Sequence, residues 1–90
     1  MSTQEEKLLQ ALGDKIREVR ISELLVPQEV MAVNCGITQR HLSLIEKGLI
    51  ECRILTLRKI SSGSHLPLSK LLDIDLYKFD KKYFPEGEMF

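Results

Sequence analysis

The chain has 90 residues, which is enough for one compact domain with a thin core. Its hydrophobic share of 43% and charged share of 29% are typical of a globular protein and argue against disordered or collagen-like classes. The formal net charge is zero, so the chain as a whole has no positive excess for a nucleic acid.

Several features bear on the compartment of the protein. No apolar run approaches the ~18 residues of a membrane span, and the first residues are too polar for a secretory signal. Cys35 and Cys52 are too few for a disulfide scaffold. We therefore expect a cytoplasmic protein with reduced thiols and no membrane partner.

Motifs for catalysis or metal binding are missing from the sequence. The two cysteines with His41 and His65 match no zinc-ligand spacing. There is no glycine loop for a phosphate and no paired-carboxylate site. A domain this thin leaves little room for a catalytic pocket. We expect no metal, no cofactor and no enzyme activity.

The first two helices are predicted from apolar spacing. One spans about residues 4–23, and its apolar stripe comprises Leu8, Leu9, Leu12, Ile16 and Val19. Gly13 interrupts this helix at a cost of roughly 1 kcal/mol. Pro27 marks a break, and a short helix follows over about 28–35. Its buried candidates are Val30, Met31 and Cys35.

Three more helices follow. The third is capped by Thr38 and runs to about Lys47, between Gly36 and Gly48 at positions that favour left-handed backbone. Its inward residues are Ile37, Leu42 and Ile45. The fourth covers about 53–62, with Ile54, Leu57 and Ile60 on one face, before a turn at 63–65. The fifth covers about 67–72, with Leu68, Leu71 and Leu72 apolar.

The end of the chain differs in composition. Residues 1–72 are predicted to form an all-α, five-helix domain, and residues 73–90 a short tail that holds every aromatic side chain: Tyr77, Phe79, Tyr83, Phe84 and Phe90. Residues 74–79 fit a short strand and a further helix equally well. A cluster of large aromatic side chains is typical of an interface.

The most informative stretch is residues 28–48. A short helix, a glycine turn and a second capped helix within about 20 residues form the geometry in which one helix lies across the DNA backbone and the next enters the major groove. Residues 38–62 are also the only segment with excess positive charge. Its acidic residues are Glu46 and Glu51, and its basic residues are Arg40, Lys47, Arg53, Arg58 and Lys59.

At these residues the chain resembles the lambda-repressor-like helix-turn-helix family of phage repressors, Cro proteins and XRE-type regulators. The resemblance covers about residues 8–72. It is carried by Gln28-Glu29, Ala32, Gly36-Ile37-Thr38, Leu42-Ser43 and Ile45-Glu46-Lys47-Gly48, with further matches over 12–20, 56–60 and 68–72.

The resemblance implies a role for individual residues. Gln28 would hold a phosphate and brace Gln39, and Thr38 would contact a phosphate. Base edges would be reached from Gln39, Arg40, Ser43 and Leu44, and Lys47 completes the DNA-binding set. Glutamine pairs with adenine, arginine with guanine, and leucine covers a thymine methyl. Arg20 and Glu46 would form an ion pair between the first and third helices.

The sequence also departs from the family pattern. Pro27 stands where serine or threonine usually caps the second helix, and the preceding turn is one residue longer than usual. Leu49, Ile50 and Glu51 occupy positions that are often basic or polar. Leu44 fits a core or partner contact as well as a thymine contact.

Two functions therefore stay open. One is a sequence-specific regulator, a repressor in type, that binds a palindromic operator in double-stranded DNA as a homodimer. The other is a protein-interaction module, or an antitoxin-like partner, that binds DNA weakly and exposes Leu44, Leu49 and Ile50 beside Glu51. The tail at 73–90 is expected to pack on a second copy or another protein partner, or back over the first and fourth helices.

Overall fold

The computed structural model describes residues 3–74. Within this range the protein has five α-helices and no strand, as the sequence predicts. The helices are α1 (Thr3–Val19), α2 (Gln28–Cys35), α3 (Gln39–Glu46), α4 (Ile54–Ser64) and α5 (Leu68–Leu71). The tail aromatics and the predicted element at 74–79, apart from Ile74, lie outside the described residues.

The end of the first helix differs from the prediction. The α-helical hydrogen bonds stop at Val19, and Arg20–Leu24 form a π-helical turn. Leu25 ends this turn in left-handed geometry at φ 55° and donates its N–H to the carbonyl of Arg20. A π-turn closes a wider ring than an α-turn and so takes up an extra residue. The longer connection before α2 is accommodated in this way.

The core lies between all five helices, and most predicted core residues are in it. Its fully buried side chains include Ile16, Met31, Leu42, Ile45, Ile60 and Leu71. Two predictions are wrong: Val30, a buried candidate, and Ile54, placed on the apolar face of the fourth helix, remain 40% and 63% exposed. Val30 lies beside Met31, which does face the core, whereas Ile54 lies between two exposed residues at the N-terminal end of α4. Apolar spacing alone does not decide which of two adjacent helix faces is covered.

The predicted helix boundaries around α3 are confirmed. Gly36 and Gly48 both adopt left-handed backbone, at φ 70° and 71°. The hydroxyl oxygen of Thr38 accepts the N–H of His41 at 3.0 Å, which caps the first turn of α3. The α4 helix is longer than predicted, because it continues through Gly63 and Ser64 to a left-handed residue, His65.

Two pairs of helices pack very closely. Helix α1 meets α3 at Gly13, where an added Cβ would overlap the carbonyl oxygen of Ile45 and lie 2.5 Å from that of Glu46. Helix α4 meets α2 at Gly63, where a Cβ would lie 2.6 Å from the carbonyl oxygen of Asn34. We call these the α1–α3 junction and the α2–α4 junction. Both require a residue without a side chain.

A bilayer span needs a helix that is both long and strongly apolar. No helix within residues 3–74 meets both conditions.

Candidate nucleic-acid interface

Helix α3 has one buried face and one open face. Leu42 and Ile45 anchor it, with 0% and 2% of their surfaces exposed. Gln39 and Arg40 are exposed in the first turn, and Ser43 is half-buried one turn later. The spacing of about 3.6 residues per turn places the polar side chains together, opposite the anchors.

The open face forms part of a shallow depression in the surface. Six of the seven residues predicted to bind DNA line it: Gln28, Gln39, Arg40, Ser43, Leu44 and Lys47. Gln28 comes from the first turn of α2, and the others come from α3 and its C-terminal end. The fold thus brings together side chains up to 19 positions apart in the sequence.

Thr38, the seventh predicted residue, precedes α3 and does not line the depression. Its oxygen accepts the backbone N–H of His41, which leaves its hydroxyl hydrogen available. The Thr38 hydroxyl can therefore cap α3 and, at the same time, donate a hydrogen bond to a phosphate oxygen.

Glu46 is a buried acid in the last turn of α3, with 4% of its surface exposed. Its Oε2 lies 2.8 Å from Arg20 Nε and its Oε1 lies 3.0 Å from Arg20 Nη2, so the ion pair is bidentate. Arg20 Nη1 also donates to the Val26 carbonyl at 3.2 Å. The hydrogen bond to Glu46 raises the pKa of Arg20. This pair fixes α3 to the π-helical turn.

Gln28 has a partner that the resemblance does not predict. Its Nε2 donates to Glu46 Oε1 at 3.1 Å, and its side chain does not hydrogen-bond to Gln39 in the described part of the chain. The predicted brace between Gln28 and Gln39 is therefore replaced by a bond to the buried carboxylate. The sequence analysis pairs the Glu46 carboxylate with Arg20 alone and therefore does not predict its hydrogen bond with Gln28.

The ion pair changes the balance of exposed charge around α3. Glu46 is buried and neutralised by Arg20, so Glu51 is the one exposed acid in residues 38–62. All five basic side chains of this segment are exposed: Arg40, Lys47, Arg53, Arg58 and Lys59. Although the net charge of the chain is zero, residues 38–62 thus expose five basic side chains and one acidic side chain.

The loop after α3 is less apolar at its surface than the sequence suggests. Leu49 is 60% exposed, as predicted. Ile50 is half-buried and packs against the core, so its predicted exposure is wrong. Leu44 is also half-buried, at the edge of the depression.

The two cysteines are free thiols, one buried and one half-buried. Burial raises the pKa of Cys35 and raises that of Cys52 to about 11. Within residues 3–74, no three His, Cys, Asp or Glu side chains cluster as metal ligands would. A thiol with a raised pKa is a poor nucleophile.

Two structural residues of this site were not identified from sequence. Gly13 and Gly63 permit the close junctions that set the positions of α3 and α2. For Gly13, a glycine inside a helical pattern is the signal that could have found it, because it is costly there unless packing requires it. Gly63 gave no such signal, because the sequence places it in a turn after the fourth helix.

Comparison with known proteins supports the assignment to the family. No protein-family model matches the chain. A curated relative, control protein C.BamHI of Bacillus amyloliquefaciens, is 31% identical over 61 residues, which cover 68% of this chain and 75% of the relative. The crystal structure of the restriction-modification controller protein C.AhdI from Aeromonas hydrophila has the same fold, with a TM-score of 0.70 at 20% identity over 73% of this chain and 94% of that one. The chain belongs to the lambda-repressor-like helix-turn-helix family of DNA-binding transcriptional regulators.

Proposed function

We propose that the protein acts in the cytoplasm as a repressor that binds a palindromic operator as a homodimer. Helix α3 enters the major groove, and the two copies of α3 lie about 34 Å apart on one face of the DNA. One observation carries this proposal: six predicted DNA-binding side chains line a single depression on the open face of α3.

The chemistry of the depression suits base recognition. Arg40 can donate two hydrogen bonds to guanine, and Gln39 can both donate to and accept from adenine. Leu44 supplies an apolar edge for a thymine methyl. Lys47 and the other exposed basic residues of 38–62 supply contacts to phosphate, which dominate affinity and make it salt-dependent.

Selection from random duplexes tests this function directly. The full chain is incubated with a random pool at two salt concentrations, and bound duplexes are sequenced. We expect a palindromic consensus whose affinity falls steeply with salt. A pool without enrichment at low salt would contradict the proposal.

Arg40→Ala tests the assignment of α3 to the major groove. We expect specific affinity to fall by ~1–3 kcal/mol and preference to relax at one base pair. Arg17→Ala is the matched control, because Arg17 is an exposed arginine on α1 and its loss changes the net charge equally. Equal effects of the two variants on the selected consensus would exclude Arg40 from base recognition.

The proposed dimer uses the tail at 73–90. Ile74 packs against the core, so a shortened chain should end at this residue or later. Light scattering at tens of micromolar should show a dimer for the full chain and a monomer for a chain that ends at Ile74. A dimer that survives the truncation would assign the interface to residues 1–74.

A second function is favoured by the exposed apolar residues near the start of α4. Leu49, Ile54 and Leu55 are each at least 60% exposed and flank the acidic Glu51. A protein-interaction module or an antitoxin-like partner would use such a surface. The two functions differ in the selection experiment, since the module would enrich no consensus at either salt concentration.

A further inference from the structure

The buried carboxylate of Glu46 has two different neighbours. Arg20 holds it from the π-helical turn through the bidentate pair. Gln28 holds it from the start of α2, where Nε2 donates to Oε1 at 3.1 Å. Three hydrogen bonds from two elements therefore converge on one side chain at the C-terminal end of α3.

Gln28 also belongs to the depression on α3. Its side chain lines that depression beside Gln39 and Arg40. A glutamine amide has two N–H donors and one oxygen acceptor. Only one donor is used by Glu46, and within residues 3–74 the other donor and Oε1 have no protein partner. Half of the amide is thus held while the rest remains available at the surface.

The carboxylate determines which way this amide points. An ionised carboxylate only accepts hydrogen bonds, so a rotated amide would place its oxygen against another acceptor. The Glu46–Gln28 bond therefore selects one orientation before any ligand arrives. A side chain that is already oriented loses less conformational entropy on binding.

We propose that Glu46 is a positioning residue for DNA recognition, because it orients the amide of Gln28 at the edge of the α3 depression. This role rests on the proposed DNA-binding function and goes beyond the ion pair with Arg20. Glu46 itself does not touch DNA. It connects the π-helical turn, the start of α2 and the end of α3, so that the free part of the Gln28 amide meets the DNA in one orientation.

A double-mutant cycle tests the connection. Glu46→Asp keeps the negative charge but withdraws the carboxylate by one methylene. The long Arg20 side chain can follow this movement, whereas the 3.1 Å bond to Gln28 is lost. Gln28→Ala removes the amide. The two variants and their combination are titrated with the duplex that the wild-type chain selects, at a temperature where each is folded.

We expect Gln28→Ala to weaken binding by about 10-fold, Glu46→Asp to weaken it by about 5-fold, and the double variant to bind like Gln28→Ala alone. Ser43→Ala combined with Glu46→Asp is the control, because Ser43 has no hydrogen bond to Glu46 and its effect should multiply. If the effects of Gln28→Ala and Glu46→Asp multiply instead, Glu46 does not act through Gln28.

A measurement without DNA tests the geometry separately and does not depend on the folding of a variant. In the wild-type chain, the side-chain amide protons of Gln28 should exchange with water more slowly than those of the exposed Gln39. Equal exchange would overturn the proposal. Slow exchange in a chain that selects no duplex would leave the Glu46–Gln28 bond in place but reject both the positioning role and the proposed function.

Discussion

The α1–α3 and α2–α4 junctions solve the same packing problem in different ways. In both, a glycine lets one helix backbone touch the other. Helix α3 is also tied to the π-helical turn that directly follows α1, through the Arg20–Glu46 pair, whose two partners are charged. Within residues 3–74, no ion pair joins α2 to α4. The α2–α4 junction is filled by apolar contacts and by Cys35, whose thiol lies 3.9 Å from the carbonyl oxygen of Ile60.

This difference in support determines how freely each helix can shift its position. An ion pair with good geometry is costly to break from one side, so α3 is held in position along α1. Apolar packing is less directional, so α2 and α4 can adjust to small changes. The helix proposed to contact bases is thus the one with the more directional support.

The largest effect is expected from breaking the ion pair on one side. Arg20→Met leaves the Glu46 carboxylate buried without its cation, and we expect the free energy of unfolding to fall by ~3–5 kcal/mol. Chemical denaturation measures it. Lys70→Met is the control, because the Lys70–Glu23 pair spans 3.0 Å but is 41% and 42% exposed, so its loss should cost less than ~1 kcal/mol. Similar losses would mean that the buried pair does not hold α3.

Adding a methyl group to each junction compares them directly. Gly13→Ala should destabilise the protein by ~2–3 kcal/mol despite the better helix propensity of alanine, because the added Cβ meets two carbonyl oxygens of a fixed helix. Gly63→Ala should cost less, about 1–2 kcal/mol, because α2 and α4 can separate slightly. Glu18→Ala, at an exposed α1 position, is the control. A larger loss of stability from Gly63→Ala than from Gly13→Ala would mean that the α2–α4 junction is the more rigid of the two.

The loop between α3 and α4 contains a titratable thiol, that of Cys52. Burial raises the pKa of Cys52 from its usual value of 9.0 to about 11, so the folded state favours the neutral thiol. The resulting stability is present below about pH 9 and is lost as the pH rises toward 11. We expect unfolding free energy to fall more steeply over this window in the wild type than in Cys52→Ser. If the unfolding free energies of the two proteins change with pH in parallel, burial does not shift the pKa of this thiol.

The smallest effect concerns the left-handed residue at the end of each connection. His65 ends α4 at φ 59°, and Leu25 ends the π-helical turn at φ 55°. Both side chains are exposed, so replacement by glycine removes backbone strain with little loss of packing. Part of this gain is offset by the greater flexibility of glycine in the unfolded chain. We therefore expect His65→Gly and Leu25→Gly each to raise the free energy of unfolding, measured by chemical denaturation, by ~0.5 kcal/mol. A loss of stability at either site would show that its side chain is held by packing.

The sequence by itself determined the features that depend on neighbouring residues. Thr38 as the cap of α3, Gly36 and Gly48 as left-handed ends, and the buried pair Leu42 and Ile45 all follow from local geometry. The grouping of polar side chains on the open face of α3 follows in the same way, because helical periodicity places them together.

The tertiary structure decided what depends on residues far apart in the chain. Val30 and Ile54 are apolar but exposed, because the covering of a helix face depends on which helix packs there. Gly13 is a defect in an isolated helix and a requirement where α3 crosses it. Gln28 and Glu46 are 18 positions apart, and their bond exists only because α2 and α3 fold against each other. Local propensity carries no information about such contacts, since they arise from the packing of complete helices.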